Sequence, residues 1–362
     1  MRKVGIITFH RAINYGAMLQ AVALQRAITE LGYPAELIDY VDRLYERYKT
    51  TYRSSGVVQS AMRYALSGKK LAKKRKFERF LEENAIISKR RYDSDSVHRA
   101  GEEYGTYITG SDQVFNPLIT ERDSNYLLAF VKDKTKCNSY AASIGLNSLT
   151  TEDAQWLKAH VSGFNRVFVR EEMARRILTA IGIANVDVVA DPTLLLSVDE
   201  WKKMEKSVRL PKRYILSYGF HRNESMERAI TEQARRTGLP VCEVSDSVRR
   251  YKAGRLQIGG VGPAEWLFLV HNADYVFTNS YHGMIFGFLF GRQVWVCDPG
   301  DGTFSRMTDF LMRIGCENRI LDIGGLDILW EDQVDFSKIQ SVLTEMGTHS
   351  KQLLLEMLRR YD

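Results

Sequence analysis

Cysteine and histidine are scarce in this chain, and the motifs that usually announce a cofactor are missing. The four cysteines, Cys137, Cys242, Cys297 and Cys316, form neither a CxxC pair nor a zinc spacing. Each stands alone beside apolar residues, the setting of a reduced core filler. The histidines include no HExxH, and the scattered Asp and His residues leave no readable metal spacing, so no metal is expected. No GxGxxG follows the first strand, and GSDQVF lacks the glycine spacing and lysine of a P-loop. Apolar runs all fall short of the ~20 residues that span a bilayer. The N-terminus, MRKVGIITFH, has a basic start but no long apolar core and no small-residue cleavage site, and reads as a first strand rather than a signal peptide. The expected location is cytoplasmic.

What is present is an ordinary globular balance. With 44% hydrophobic and 26% charged residues over 362 positions, the chain can fill two cores, hence two domains. The formal charge of +7 favours anionic partners such as phosphates, sugar nucleotides or an acidic membrane surface. It does not establish nucleic-acid binding, and none is expected. VGIITF reads as a strand, the loop from His10 to Tyr15 is polar, a helix carries Leu19, Ala23, Leu24 and Ile28, and AELIDY supplies the next strand. Residues 41–99 are tyrosine- and arginine-rich and helical by composition. Their basic run GKKLAKKRKFERF is either a solvated helical face or a peripheral contact with the inner face of an acidic membrane or a lipid-linked substrate. Strand-then-corner units resume with TYITG, KCNSYAASIG, RVFVREE and VDVVADP. After a charged, proline-ended stretch near 198–210, a second series runs through RYILSYGF, PVCEVS, DYVFTN and QVWVCD. The expected fold class is α/β, with two Rossmann-like domains facing a cleft. They would cover 1–205, with the helical basic insertion at about 41–99, and 206–335, followed by a helix over 336–362 packing on either domain. Nothing in the sequence fixes an oligomeric state.

These strands deliver polar residues to one edge of each sheet, where open α/β folds bind ligands. In TNSYHG, Asn279 or Ser280 should cap the helix through MIFGFLF, with Tyr281 and His282 in its first turn. N–H groups there favour an anion and the helix field disfavours imidazolium, which suits His282 to proton transfer; the plain alternative is a structural histidine. Arg170 follows RVFV and precedes Glu171 and Glu172. Its planar fork could hold a carboxylate or phosphate, or simply pair with the glutamates. In FHRAINYGAMLQ, Gly16 and Ala17 allow close approach to a helix start flanked by Asn14, Tyr15 and Gln20. Gly110, Ser111, Asp112 and Gln113 form a compact corner in which Asp112 either accepts substrate hydroxyls or caps a helix. Asp191, Pro192 and Thr193 read as architectural, and His10 and His221 as further residues that could line the cleft. Arg306, at a helix entrance, is a candidate anion binder against a surface role.

Taken in order, VGIITFHRAINYGAMLQAVALQ, YITGSDQVFNP, SYAASIG, VREE, DPTLLL and TNSYHGMIFGFLF resemble the polysaccharide pyruvyltransferase family over residues 4–290. The resemblance implies a fold similar to GT-B glycosyltransferases. It also implies an enzyme that moves pyruvate from phosphoenolpyruvate, a donor substrate with no cofactor, to hydroxyls of a cell-surface glycan precursor, forming a ketal and releasing phosphate. The acceptor would be a lipid-linked or nucleotide-linked saccharide. By position in the motifs, Arg170 would hold phosphoenolpyruvate and His282 would act as general acid. Asn14, Tyr15, Gly16, Ser111, Asp112 and Gln113 would bind substrate from the first domain, and Ser280, Tyr281 and Arg306 from the second. Characterised members often carry arginine where this chain has Ser280; Arg306 could supply that charge from another loop. Two other expectations stay open at this point: a GT-B-type glycosyltransferase using a nucleotide sugar, and a non-catalytic glycan-binding or assembly protein.

Overall fold

In the computed structural model, which describes residues 2–42, 57–220, 223–245, 254–321 and 334–361 and the side chains of these outside 57–70, two parallel sheets carry the fold. The first contains β1 (Val4–Ile7), β2 (Ala35–Tyr40), β3 (Ile87–Tyr92), β4 (Thr106–Thr109), β5 (Cys137–Ala142), β6 (Arg166–Val169) and β7 (Val186–Val188), in the order β3-β2-β1-β4-β5-β6-β7. The second contains β8 (Ile215–Tyr218), β9 (Val241–Val244), β10 (Arg255–Ile258), β11 (Tyr275–Thr278) and β12 (Gln293–Val296), in the order β10-β9-β8-β11-β12. Parallel neighbours need crossovers, and helices cover both faces, so strands such as VGII, TYIT and CNSYAA are buried at every position instead of alternating. The crossovers and flanks are α1 (Tyr15–Glu30), α2 (Val57–Asn84), α3 (Thr151–Val161), α4 (Glu172–Ala180) and α5 (Val198–Lys203). The remainder are α6 (Glu224–Thr237), α7 (Pro263–His271), α8 (Tyr281–Leu289), α9 (Ser305–Ile314) and α10 (Phe336–Leu358).

The chain divides into two compact units: Met1–Leu71, Phe77–Leu196 and Met346–Asp362 in one, Ala72–Lys76 and Ser197–Glu345 in the other. Each is Rossmann-like, and in each the strand order reverses at one place. The reversal falls between β1 and β4 in the first domain and between β8 and β11 in the second. Loops leaving those strands diverge to opposite faces and open a crevice at the carboxyl edge.

The helices that start at these two crevices explain themselves locally. Asn14 ends the β1 loop and its side chain accepts the Ala17 N–H, fixing the first turn of α1, which is buried except at Arg26, Thr29 and Glu30. Helix α8 is buried over all nine residues, as a helix apolar on every side must be. Phe286 meets Trp201 and Trp266 edge-on at 5.0 and 5.4 Å. Gly287 lets the helix press on the sheet, since a Cβ there would lie 2.6 Å from Val294 Cγ2.

The basic run lies on α2. There Phe77, Phe80 and Leu81 are buried while Arg75, Lys76 and Arg79 are exposed. Helix α10 serves each unit with a different half. Gln340 donates to the Phe288 and Leu289 carbonyls at the end of α8 in the second, while Ser350 accepts the Ala190 N–H in the first. All four cysteines are buried without disulfides. Burial pushes the thiols of Cys137 and Cys297 up to about 12 and those of Cys242 and Cys316 up to about 11, which keeps them protonated at neutral pH. Among the described residues no helix is long and apolar enough to cross a membrane.

Candidate active site

The crevice of the first domain is tied across by short neutral hydrogen bonds. Gln20 Nε2 donates to Thr8 Oγ1 (2.8 Å), the Ser111 N–H donates to Gln20 Oε1 (3.0 Å), and Thr8 Oγ1 donates to the Ser111 carbonyl (3.1 Å). These bonds lock the β1 and β4 loops together and give Ser111 and Gln20, both fully buried, a structural use. Above them opens a cavity of about 470 Å³, a size typical of small-molecule sites. Of the residues expected from the sequence, Asn14, Asp112 and Gln113 line it. Tyr15 instead packs its ring on Phe77 at 5.2 Å, Gly16 is buried in the first turn of α1, and Ser111 lies behind the wall.

The same cavity is lined by residues that the sequence did not single out: Phe9, Arg11, Tyr40, Asp42 and Tyr126. Phe9 and Tyr126 rings stand 4.7 Å apart, and Tyr40 meets Tyr126 edge-on at 5.5 Å. Tyr40 donates to Asp123 Oδ2 (2.5 Å) and Tyr126 to Asp42 Oδ2 (2.8 Å). Burial, reinforced by the Asp123 carboxylate, raises the Tyr40 phenol well above its usual range, so it stays protonated. Tyr40 ends β2 and Asp42 lies two residues beyond it, at the same sheet edge as Asn14 and Asp112, so the strand-end rule applied to AELIDY finds them. Tyr126 comes from a short 3₁₀ turn, Ser124–Leu127, that carries no such signal.

Arg11 is gripped bidentately by Asp39, at 2.8 and 2.7 Å. His10 is fully buried, bonded to the Thr8 carbonyl and 3.6 Å from Asp39. It sits under the crevice instead of lining the cavity, and His221 lies outside the described residues.

Arg170, just past β6, has a side chain only 1% exposed. It donates to Asp191 Oδ2 at 2.9 Å and to Asp112 Oδ1 at 3.4 Å, with Glu171 Oε2 3.8 Å from Nε. Asp191 in turn accepts from the Thr193 N–H and hydroxyl. Glu171 accepts from Ser143 Oγ and the Ile144 N–H. The guanidinium is therefore surrounded by carboxylates within its own domain, and the one that reaches the cavity is Asp112. Asp112 takes a backbone φ of 68°, costly for a non-glycine residue and affordable only where neighbours fix it.

In the second domain, Ser280 is the N-cap of α8, accepting the Gly283 N–H at 3.3 Å. Asn279 Oδ1 accepts the Phe220 N–H, joining the β8 and β11 loops across the crevice. Gly283 has to be small, because a Cβ would lie 2.5 Å from Thr278 Oγ1. Tyr281 and His282 form the first turn, with their rings perpendicular at 5.4 Å. Arg306, in the first turn of α9, lies over the Tyr281 ring at 5.4 Å and also donates to Thr303 Oγ1. The structure thus gathers Ser280, Tyr281, His282 and Arg306 in this domain, while Arg170 belongs to the other. Among the described residues no group of three or more His, Cys, Asp or Glu is arranged to hold a metal ion.

Known proteins share this architecture. The chain is similar to MnaA from S. aureus, solved with UDP, at TM-score 0.57 and 12% identity, covering 99% of this chain and 97% of that one. UDP-N-acetylglucosamine 2-epimerase from Rickettsia bellii gives 0.53 at 12% identity, over 100% and 97%. HepE from Anabaena, solved with UDP and glucose, gives 0.53 at 10%, over 99% and 100%. At such identities the likeness shows the fold alone: two Rossmann-like lobes, GT-B-like. No curated protein matches the chain in sequence. The sequence pattern of the polysaccharide pyruvyl transferase family matches residues 14–301.

Proposed function

Because the chain belongs to the polysaccharide pyruvyl transferase family, we propose that it moves the pyruvyl group of phosphoenolpyruvate onto two neighbouring hydroxyls of a saccharide, closing a cyclic ketal and releasing phosphate. The family match over residues 14–301 carries this reading and makes the chain an enzyme of pyruvyltransferase type. The donor is a small dianion or trianion, and the second domain offers what such a group needs: the first-turn amides of α8 and the Arg306 guanidinium beside Tyr281. Ser280 is engaged as a cap, so the positive charge at this corner comes from Arg306.

In the proposed reaction His282 gives a proton to the methylene carbon of the donor as the first hydroxyl oxygen bonds to C2. The C2–O bond to phosphate then breaks, phosphate takes the electron pair, and the second hydroxyl oxygen closes the ring. Of the two hydroxyl protons, the first returns to His282 and restores it, and the second leaves on phosphate. Arg170 has a positioning role, holding Asp112. The neighbours solved with UDP support a nucleotide-linked saccharide as acceptor. The setting is cytoplasmic, and the exposed Arg75, Lys76 and Arg79 of α2 favour contact with an acidic membrane face.

The test is incubation of the full chain with phosphoenolpyruvate and a panel of uridine-diphosphate-linked saccharides. Phosphate release matched by a pyruvylated product in the mass spectrum is expected. Folded protein that yields neither across the panel overturns the proposal.

A further inference from the structure

We infer that the cavity of the first domain is a binding site for a neutral polyhydroxylated ring, the saccharide acceptor, and that Asp112 is its principal hydroxyl acceptor. This deepens the pyruvyl-transfer reading and rests on it for the identity of the acceptor, although the chemistry of the wall points to the ligand class by itself.

The wall combines aromatic rings with hydrogen-bonding groups of both kinds. Phe9, Tyr40 and Tyr126 form a contiguous aromatic patch on which the C–H face of a pyranose can lie. Around it, Asp112 Oδ2, Asn14 Nδ2 and Gln113 Nε2 make no hydrogen bond among the described residues, although their partner atoms do. Asp112 Oδ1 faces Arg170, Asn14 Oδ1 accepts the Ala17 N–H, and Gln113 Oε1 accepts from Asn116. One open acceptor and two open amide donors suit hydroxyls, which both give and take hydrogen bonds.

Charge argues against an anionic occupant. Asp42 and Asp112 both stand in the wall, and the cation there, Arg11, is gripped by the Asp39 carboxylate. Phosphoenolpyruvate would meet like charge at close range, whereas a neutral sugar meets good acceptors. Specific polar recognition also needs a fixed first contact. The buried chain Thr193–Asp191–Arg170 holds the Asp112 carboxylate in place from behind, which makes Arg170 a positioning residue for acceptor binding.

The experiment uses the full chain without donor. Saturation-transfer NMR with methyl α-mannopyranoside, methyl β-galactopyranoside and methyl β-glucopyranoside as probes should show binding of at least one. Asp112→Asn and, as the milder variant, Gln113→Ala should each weaken that probe tenfold or more, with phosphoenolpyruvate affinity by calorimetry unchanged. In turnover, Arg170→Lys should raise the saccharide KM and leave the donor KM alone. Absence of binding by every probe, or variants that weaken phosphoenolpyruvate and spare the sugar, overturns the inference. Sugar binding that depends on Asp112 in a protein that releases no phosphate would sink the transfer reading and leave this one standing.

Discussion

At the crevice of the first sheet, Asn14, Asp112 and Gln113 stand around an open volume of about 470 Å³; at that of the second, Tyr281 and His282 open a helix whose nine residues are all buried. Both crevices arise from the same reversal of strand order, and both are tied by a side chain that reaches the neighbouring loop, Gln20 in one and Asn279 in the other. They differ in what the remaining groups are for. The first leaves amide and carboxylate atoms open beside aromatic rings, with carboxylates in excess. The second keeps its loop small and tightly packed, with Gly283 against Thr278 and Arg306 over Tyr281. One topology therefore yields a roomy pocket with Asp42 and Asp112 in its wall and, in the other unit, a compact corner with a guanidinium beside a helix start.

Substitutions can break this contrast or sharpen it. The largest effect belongs to the second crevice: His282→Gln should lower transfer about 10²–10⁴-fold while donor affinity stays near that of the parent, measured by phosphate release and calorimetry. An equal loss of donor binding would make His282 a binding group instead. On the other side, Asp191→Ala leaves the buried Arg170 without its nearest carboxylate, and the first domain should lose about 3–5 kcal/mol. Urea unfolding followed by hydrogen exchange should show that loss in β6 and β7 and leave β11 and β12 unmoved. Arg306→Ala should raise the phosphoenolpyruvate KM about tenfold, the size of a lost charge-assisted hydrogen bond of about 1.5–3 kcal/mol, without touching the saccharide KM. A shift in the saccharide KM alone would reverse the assignment of cation and anion between the crevices.

The smallest effect concerns pH. Burial alone would raise the Asp39 carboxyl, but its bonds to His10 and Arg11 outweigh that and hold it well below the usual carboxylate range. A group depressed in the folded state stabilises above its unfolded value and loses that contribution as pH falls through the folded one. The first domain should therefore lose stability below about pH 4, and Asp39→Asn should flatten that acid limb in thermal melts.

Much of this could be read along the chain, because the signals are local. Apolar strands, polar corners and helix starts repeat with short spacings, and Ser280 caps α8 where TNSYHG placed a cap. The strand-end rule failed where it was not carried through. AELIDY reads as a strand, and carrying the rule to its last residue, Tyr40, and to Asp42 two positions beyond reaches the cavity wall. In the sequence Arg170 offers a fork for a carboxylate or phosphate, with Glu171 and Glu172 as the alternative partners. Its short ion pair is with Asp191, 21 positions on, because the ends of β6 and β7 lie next to each other in the sheet.

The alternation of strands and helices, the capping of α1 and α8, and the family are all written along the chain, since each depends on residues within a turn or on ordered motifs. Which polar groups are satisfied and which stay open follows from contacts between distant segments. Asp112 gains its guanidinium from a strand two places away in the sheet, and the aromatic wall joins residues 9, 40 and 126. Such pairings depend on strand order and register, and the long loops between the partners carry no local trace of either.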